Sequence, residues 1–330
     1  MDLRTHVFIP PSDLQIDHSS RVMLFGSCFS ENIGNLLLEN KFDADVNPFG
    51  ILYNPMSIIA AIRRLWLSER FDEGELTFRN GLYHSFLHHG DFSGPTSEIS
   101  IRNILDRFVP AADSIRKTDV LLITFGTSYV YRFRETGQIV GNCHKFPSET
   151  FTRTRLSVEE ISSAWIPLIA EFRETNPDVR FIFTVSPIRH WKDGAHENQL
   201  SKAVLHLAIE QISEAYPGNV RYFPAYEILM DELRDYRFYA EDMLHPSSVA
   251  TQYIWDRFRE TFFSHETEKI IAEWQTVYRA LNHRPLNPET KEHTAFLTQT
   301  LGKLREFSQK YPQVDCEKEI QHINRLVSND

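Results

Sequence analysis

Cysteine is scarce in this chain of 330 residues, which contains only Cys28, Cys143 and Cys316. Three widely spaced cysteines cannot form a disulfide framework, and their odd number leaves at least one unpaired. Neither the C-x-x-C nor the H-E-x-x-H spacing occurs, so the usual sequence support for a zinc site is missing. We therefore expect a reducing, cytoplasmic setting, no metal site and no required cofactor.

Long apolar runs and an excess of positive charge are also missing. No segment near the start resembles a secretory signal, and no run is long enough to predict a membrane-spanning helix. The chain has 35 Lys and Arg against 45 Asp and Glu, a formal net charge of -10, which disfavours a broad nucleic-acid-binding surface. We expect a soluble protein without nucleic-acid or membrane partners.

Short apolar runs rich in Val, Ile and Phe predict buried parallel strands. These runs are Val22–Phe25, Val120–Phe125, Phe181–Val185 and Val220–Phe223, with a weaker candidate at Ala44–Val46. The segments between them have helical patterns, at Glu31–Asn40, Pro55–Ser68, Val158–Thr175 and Gln199–Ala215. Alternating strands and helices predict an α/β fold: a doubly wound, flavodoxin-like parallel sheet of about five strands with helices on both faces.

Two regions fit this alternation less well and define the predicted domain organisation. Residues 69–118 suggest an insertion that caps one side of the site. From 263 onward the chain is polar and poor in glycine, and Ile270–Leu281 and Glu289–Lys310 predict two helices. We therefore divide the chain into an α/β domain (1–262) and a C-terminal helical extension (263–330) that is packed on it or projects from it.

The segment Gly26-Ser27-Cys28 follows the first predicted strand and precedes a predicted helix. A side chain at that position meets the unpaired N–H groups and the positive end of the helix dipole, which favour a thiolate. Cys28 is therefore the candidate nucleophile. Three alternatives remain at this stage: Cys28 is an inert buried side chain, Ser27 is the nucleophile, or Cys143 pairs with Cys28 as a redox couple.

A carboxylate and an imidazole lie three residues apart in Asp242-Met243-Leu244-His245. This pair can supply a base and the group that orients it. The same segment is also typical of a helix cap before Pro246 and a helix at Ser247–Phe258, and one segment can serve both purposes.

Further polar residues cluster where a site is expected. Asn142, His144 and Lys145 form one group, and Arg189 and His190 follow the predicted strand Phe181–Val185, at the edge where ligands bind in such sheets. His84, His88 and His89 form a local cluster that we interpret as surface or pocket-lining histidines rather than metal ligands.

Together these motifs make the chain resemble the GSCFA family, a branch of the SGNH/GDSL hydrolase superfamily, over roughly residues 5–262. The segments that carry the resemblance are Gly26–Ser30, Asn47–Pro55, Asn142–Lys145, Ser186–His190 and Asn198–Lys202. The chain has Ser30 where the family name has alanine, and Cys28 stands where the wider superfamily has its serine nucleophile.

The resemblance implies roles for particular residues. Cys28 is the nucleophile, His245 the base and Asp242 its orienting carboxylate. The oxyanion hole consists of the N–H groups of Cys28 and Gly50 and the side chain of Ser128, which stands where the superfamily has asparagine. Substrate-binding residues are expected among Ser27, Asn54, Asn142, His144, Lys145, Arg189 and His190.

The function implied is hydrolysis or transfer of an acyl group. By analogy with the superfamily, the substrate is an acylated carbohydrate or another acylated small molecule. In the transfer case, a coenzyme A thioester could be the acyl donor. A thioester intermediate reacts readily with amines and hydroxyls, which favours transfer slightly. The competing hypothesis is a non-catalytic binding protein that keeps a hydrolase scaffold, motivated by the altered nucleophile segment and the C-terminal helices.

Overall fold

The computed structural model describes residues 4–283, 285–287 and 289–328. Its strands are β1 (Arg21–Gly26), β2 (Asp43–Val46), β3 (Leu76–Arg79), β4 (Leu82–Ser85), β5 (Val120–Phe125), β6 (Tyr129–Phe133), β7 (Ile139–Val140), β8 (Phe151–Arg155), β9 (Arg180–Val185) and β10 (Val220–Tyr222). Its helices are α1 (Cys28–Glu39), α2 (Pro55–Leu67), α3 (Ser97–Ile115), α4 (Val158–Thr175), α5 (Gly194–Ala215), α6 (Ala225–Glu227), α7 (Ser248–Phe262), α8 (His265–Leu281), α9 (Lys291–Lys310) and α10 (Glu317–Ser328).

Five parallel strands form the central sheet in the order β10-β9-β5-β1-β2. In this register Val22 lies opposite Ala44 on one side and Val120 on the other, and Val120 lies opposite Arg180. Numbered along the chain, this is the 2-1-3-4-5 order of flavodoxin-like folds. The carboxyl ends of β1, β5 and β9 therefore lie side by side at one edge.

The sheet is buried on both faces, which explains why its strands are apolar at successive positions. Met23 and Phe25 pack with α2, α3, α4 and α5 on one face, whereas Val22 and Leu24 pack with α1 and α7 on the other. The predicted doubly wound α/β fold is confirmed.

Two parts of the α/β region go beyond the prediction. Residues 69–118, predicted only as an insertion, contain the β3–β4 hairpin and then Ser97–Ile115, a helix of 19 residues that packs into the core. The three-stranded antiparallel sheet β7-β6-β8 was not predicted. Its strand Phe151–Arg155 is mostly exposed and carries Thr and Arg, so it lacks the continuous apolar run of a buried strand.

Helices α8, α9 and α10 share their own apolar cluster around Trp274, Leu304 and Phe307. Several contacts join this cluster to the end of α1. The Trp274 indole N–H donates to the Glu39 carbonyl at 2.7 Å, and Lys41 pairs with Glu319 at 2.7 Å. The C-terminal helices are thus packed on the α/β region, while the domain boundary at 262 stays a prediction.

The predicted break between α8 and α9 includes Arg284 and Pro288, which lie outside the described residues. Among the residues that are described, no helix combines the length and the apolarity needed to cross a membrane.

Candidate active site

The turn from β1 into α1 is shaped by a glycine. Gly26 has φ +152, and a Cβ on it would lie 2.6 Å from the Thr124 carbonyl oxygen and Cβ, so only glycine allows β1 to approach β5 so closely at this point. Ser27 is the N-cap of α1, and its Oγ accepts from the Phe29 N–H at 3.3 Å. Cys28 is thereby fixed as the first residue of the helix.

A cleft of about 650 Å³ opens at the carboxyl ends of β1, β5 and β9. Cys28 and His245 both line it, although they lie far apart in sequence. Other predicted site residues on its surface are Ser27, Asn54, Asn142, Lys145, Arg189 and His190. The structure therefore brings together most of the residues that the sequence motifs singled out.

The Cys28 thiol is half-buried. Burial raises its pKa above the usual value, and the nearby Glu31 charge adds to this, while a hydrogen bond from the Tyr53 hydroxyl acts in the opposite direction. The same surroundings raise the pKa of Tyr53 to about 12, with burial the largest cause. The expectation of a lowered thiol pKa at the helix N-terminus is therefore wrong, because burial outweighs the favourable groups.

Asp242 and His245 form a tight pair. The His245 Nδ1–H donates to Asp242 Oδ2 at 2.5 Å, and the backbone N–H groups of Leu244 and His245 both donate to Asp242 Oδ1 at 2.9 Å. These bonds lower the pKa of Asp242 to about 2. The pairing assigns the proton to Nδ1 and leaves Nε2 free to accept a proton.

This pair is exposed, with side-chain accessibilities of 49% for His245 and 47% for Asp242. His245 lines the cleft, while Asp242 lines an adjoining groove. Asp242 does not cap the following helix, because Ser247 is the N-cap of α7.

Ser27 lines the cleft, but its hydroxyl is used in hydrogen bonds that stabilise the fold. It is 2% exposed, and its hydroxyl donates to Ser186 Oγ at 3.1 Å while accepting from Phe29. This arrangement explains the serine as a helix cap.

Two predicted oxyanion-hole groups point elsewhere. The Gly50 N–H donates to the Asn47 carbonyl at 2.7 Å, and Gly50 packs against His89. Ser128 is fully buried, and its hydroxyl donates to Ser201 Oγ at 3.0 Å. Neither residue lines the cleft. The structure does not bring these two donors to Cys28, since both are used in local turns and packing.

His144 is also directed away from the cleft. Its Nε2–H donates to the Ser85 carbonyl at 2.8 Å, and its ring stacks on His84 with centroids 4.5 Å apart. His88 is buried and stacked on Phe49, and burial lowers its pKa to about 3. These histidines hold the β3–β4 segment in place, and the described ranges of the chain contain no cluster of three metal-ligating side chains.

Asn54 and His190 lie on the cleft wall. The Asn54 amide caps α2, accepting from the Ser57 N–H and donating to Ser57 Oγ, each at 2.8 Å. The His190 ring meets Tyr53 edge-on at 5.5 Å. Burial, followed by the Lys202 charge, lowers the pKa of His190 to about 4, so this ring is neutral at pH 7.

Lys202 is a buried residue next to the cleft whose position the sequence motifs alone did not reveal. It is 1% exposed, and its Nζ donates to the carbonyls of Gly126 and Ser186, both at 2.7 Å. These carbonyls end β5 and β9, so Lys202 joins two strand ends beneath the cleft. Burial lowers its pKa to about 7. Its only sequence signal was its place in the Asn198–Lys202 segment that carries the family resemblance.

The family model described as GSCFA family matches residues 21–258, and a second one, described as the C-terminal domain of GSCFA domain proteins, matches residues 274–329. The chain therefore belongs to the GSCFA family. No curated protein matched it.

Among solved structures, the chain is similar to an acetyl xylan esterase from the rumen bacterium Butyrivibrio proteoclasticus, at 18% sequence identity with a TM-score of 0.25. The match covers 43% of this chain and 37% of the esterase chain. A similarity this low carries no argument about function.

Proposed function

We propose that this GSCFA protein is an acyl-ester hydrolase or acyltransferase of the SGNH/GDSL type, with Cys28 as its nucleophile and His245 as its base. The observation that carries the proposal is the shared cleft: the thiol at the start of α1 and the imidazole of the Asp242–His245 pair line the same cavity. The Asp242 carboxylate accepts the hydrogen bond from Nδ1, so Nε2 is the ring nitrogen that remains to take up a proton in the reaction.

In the proposed reaction, His245 Nε2 removes the Cys28 proton as the sulfur attacks the acyl carbonyl. The raised pKa of Cys28 makes the thiol its resting form, so this general base is required. Asp242 stabilises the imidazolium that forms. The tetrahedral intermediate collapses to a thioester, and the leaving alcohol takes the proton from His245. Water or an acceptor hydroxyl, deprotonated by His245, then attacks the thioester and regenerates the thiol.

The oxyanion needs donors other than Gly50 and Ser128. The Cys28 N–H lies at the first helical position, where no intrahelical acceptor exists. Asn54 lines the cleft and uses one amide N–H on Ser57, which leaves its second N–H for a ligand. We assign the oxyanion to these two groups. Losing one such donor typically costs about 2.7–4 kcal/mol in the barrier.

The substrate side of the proposal rests on the cleft's aromatic surface. Tyr129, Tyr131 and Trp191 line it, and flat amphipathic rings suit the apolar face of a sugar. An acylated carbohydrate, or a sugar acceptor with a coenzyme A thioester as donor, fits this surface.

The test compares two cysteines that line one cleft. Purified wild type, Cys28→Ala and Cys143→Ala are assayed with p-nitrophenyl acetate and with acetyl-coenzyme A plus simple sugars. We expect Cys28→Ala to lose about 10³-fold or more in turnover, and Cys143→Ala to stay close to wild type. Full turnover by Cys28→Ala contradicts the proposal.

A second measurement looks for the intermediate. Wild type is quenched during turnover and the Cys28 peptide is analysed by mass spectrometry for an acyl adduct that hydroxylamine removes. An adduct on Cys28 supports the mechanism. A Cys28 that reacts with an acylating probe no faster than an exposed peptide cysteine favours the binding-protein hypothesis instead.

A further inference from the structure

The cleft is cationic although the protein is anionic overall. Four lysine and arginine side chains line it, Lys145, Arg153, Arg189 and Lys192, and Asp193 is the only carboxylate among the described residues that do so. Asp193 is already taken, because it pairs with Arg153 at 2.6 Å. Three cations are left facing the cavity of a chain whose formal net charge is -10.

Lys145 is held at the cleft by a strained turn. Cys143–Phe146 is closed by a hydrogen bond from the Phe146 N–H to the Cys143 carbonyl at 2.8 Å. Its central residues, His144 and Lys145, have φ values of +46 and +58, a conformation that costs a non-glycine residue roughly 1–3 kcal/mol. The His144 ring is anchored on the Ser85 carbonyl, so the turn places Lys145, which is exposed, on the cleft.

Arg189 and Lys192 approach from the loop after β9. Lys192, Cys143 and Lys145 line the same cleft. Burial raises the pKa of the Cys143 thiol to about 11, and the Lys192 charge acts in the opposite direction. Arg189 lies over the Trp191 ring at 5.0 Å, and its Nε is buried with no hydrogen-bond partner. In the described part of the chain, neither Arg189 nor Lys192 forms a salt bridge.

We propose that Lys145, Arg189 and Lys192 form a subsite for a phosphate or pyrophosphate group of the substrate. Three cations match a group of about two negative charges better than a single carboxylate. An arginine whose Nε–H is unpaired, beside lysines, suits phosphate recognition. The inference rests on the proposed function in that it names part of that reaction's substrate, either a phosphorylated sugar or a nucleotide-bearing acyl donor.

Equilibrium binding of phosphate compounds, measured without turnover, tests the subsite. Inorganic pyrophosphate, ADP and glucose 1-phosphate are titrated into the full-length protein by calorimetry at low salt, with citrate as a carboxylate control. Lys145→Gln, Arg189→Gln and Lys192→Gln are compared with Lys303→Gln, which removes an exposed lysine from α9. We expect each cleft variant to weaken binding about 10-fold, which corresponds to about 1.4 kcal/mol, and Lys303→Gln to have no effect.

The three phosphates distinguish the source of the group. Equal affinities indicate recognition of phosphate alone, tighter ADP binding indicates a nucleotide donor, and tighter glucose 1-phosphate binding indicates a phosphorylated sugar. The proposal is overturned by the absence of saturable phosphate binding up to about 10 mM, by binding that all three variants leave unchanged, or by citrate binding as tightly as pyrophosphate.

The two proposals fail separately. Phosphate binding with an inert Cys28 refutes the acyl-transfer mechanism and leaves the subsite standing. Turnover of neutral esters without any phosphate binding refutes the subsite and leaves the mechanism standing.

Discussion

The floor and the rim of the cleft are built differently. The floor, defined as Ser27 and Ser186 together with Ser201 and Lys202 packed behind them, is almost fully buried, with exposures of 2%, 1%, 2% and 1%, and its polar atoms are hydrogen-bonded within the protein. The rim, defined as Lys145, Lys192 and His245, is exposed. The floor is therefore preorganised, whereas the rim's charges stay hydrated until a substrate covers them.

The difference separates two kinds of variant. Changes on the floor remove buried hydrogen bonds, so they should lower stability, whatever their effect on activity. Changes on the rim remove exposed groups, so they should alter activity alone.

The largest effect is expected on the rim, from His245→Ala. Without its base, the Cys28 thiol is not deprotonated efficiently, and turnover should fall about 10³-fold, which is roughly 4 kcal/mol in the barrier. The midpoint of thermal unfolding should change little, since the ring is half exposed. Ester hydrolysis and calorimetry measure the two quantities. Asp242→Asn is the matched variant, because it keeps the shape of the pair and removes its charge. If both variants keep wild-type turnover, His245 is not the general base.

The next effect is expected on the floor, from Lys202→Met. The Gly126 and Ser186 carbonyls lose their buried donor, so at pH 10 the variant should be less stable than wild type by about 2–3 kcal/mol. Turnover should fall as well, because the ends of β5 and β9 are no longer joined. Urea unfolding provides the stability, and Lys303→Met is the control. A variant that unfolds like wild type at pH 10 contradicts the role of Lys202.

The stability difference should shrink as the pH falls towards 7. The pKa of Lys202 is lowered from 10.5 to about 7, so between these values the unfolded chain binds a proton that the folded protein lacks. Wild-type stability therefore rises with pH across this window, by at most about 1.4 kcal/mol per pH unit. Lys202→Met lacks this contribution. Parallel pH profiles for the two proteins would show that Lys202 keeps its proton when buried.

A smaller effect is expected from Ser27→Ala, which also tests Ser27 as the nucleophile. Losing the N-cap of α1 should lower the free energy of unfolding by about 1 kcal/mol, while turnover stays within about tenfold of wild type because the thiol remains. Cys28→Ala should show the reverse, with activity lost and stability nearly kept. If Ser27→Ala lost all turnover while its stability stayed intact, Ser27 and not Cys28 would be the nucleophile.

The smallest effect is expected from Tyr53→Phe, which lies between floor and rim. The Tyr53 hydroxyl favours the Cys28 thiolate, so removing it should raise the pKa of Cys28 further. Alkylation of Cys28 by iodoacetamide at pH 8 should slow by about threefold, with alkylation of Cys143 in the same protein as the internal control. Faster alkylation of Cys28 in Tyr53→Phe would mean that the ring shields the thiol more than its hydroxyl activates it.

The sequence allowed the fold and the pairing of Asp242 with His245 to be predicted because both depend on local patterns. Apolar runs ending in Gly26 and Gly126 marked neighbouring strand ends, and the Asp242–His245 spacing is itself short-range. Gly50 and Ser128 were assigned to the oxyanion from position alone. Their hydrogen bonds to Asn47 and Ser201 depend on turn geometry that no residue pattern specifies.

For Lys202 and His144, too, the sequence did not predict the surroundings of the side chain. A lysine at 202 in an amphipathic helix is typical of an exposed position, and only the convergence of two strand ends makes it a buried donor. His144 sits beside Lys145 in sequence, yet the left-handed turn sends the imidazole into the β3–β4 segment and leaves the ammonium on the cleft.

Helix α1 connects the cleft with the C-terminal helices. Helix α1 begins at Cys28 and is 12 residues long, a rod of roughly 18 Å. At its far end, Trp274 donates to the Glu39 carbonyl and Gln275 donates to Asn40. Helix α1 is thus held at both ends: the edge of the sheet holds its N-terminus, where Cys28 lies, and the C-terminal helices hold its C-terminus. The helix that begins at the thiol is therefore held at its other end by helices that do not line the cleft.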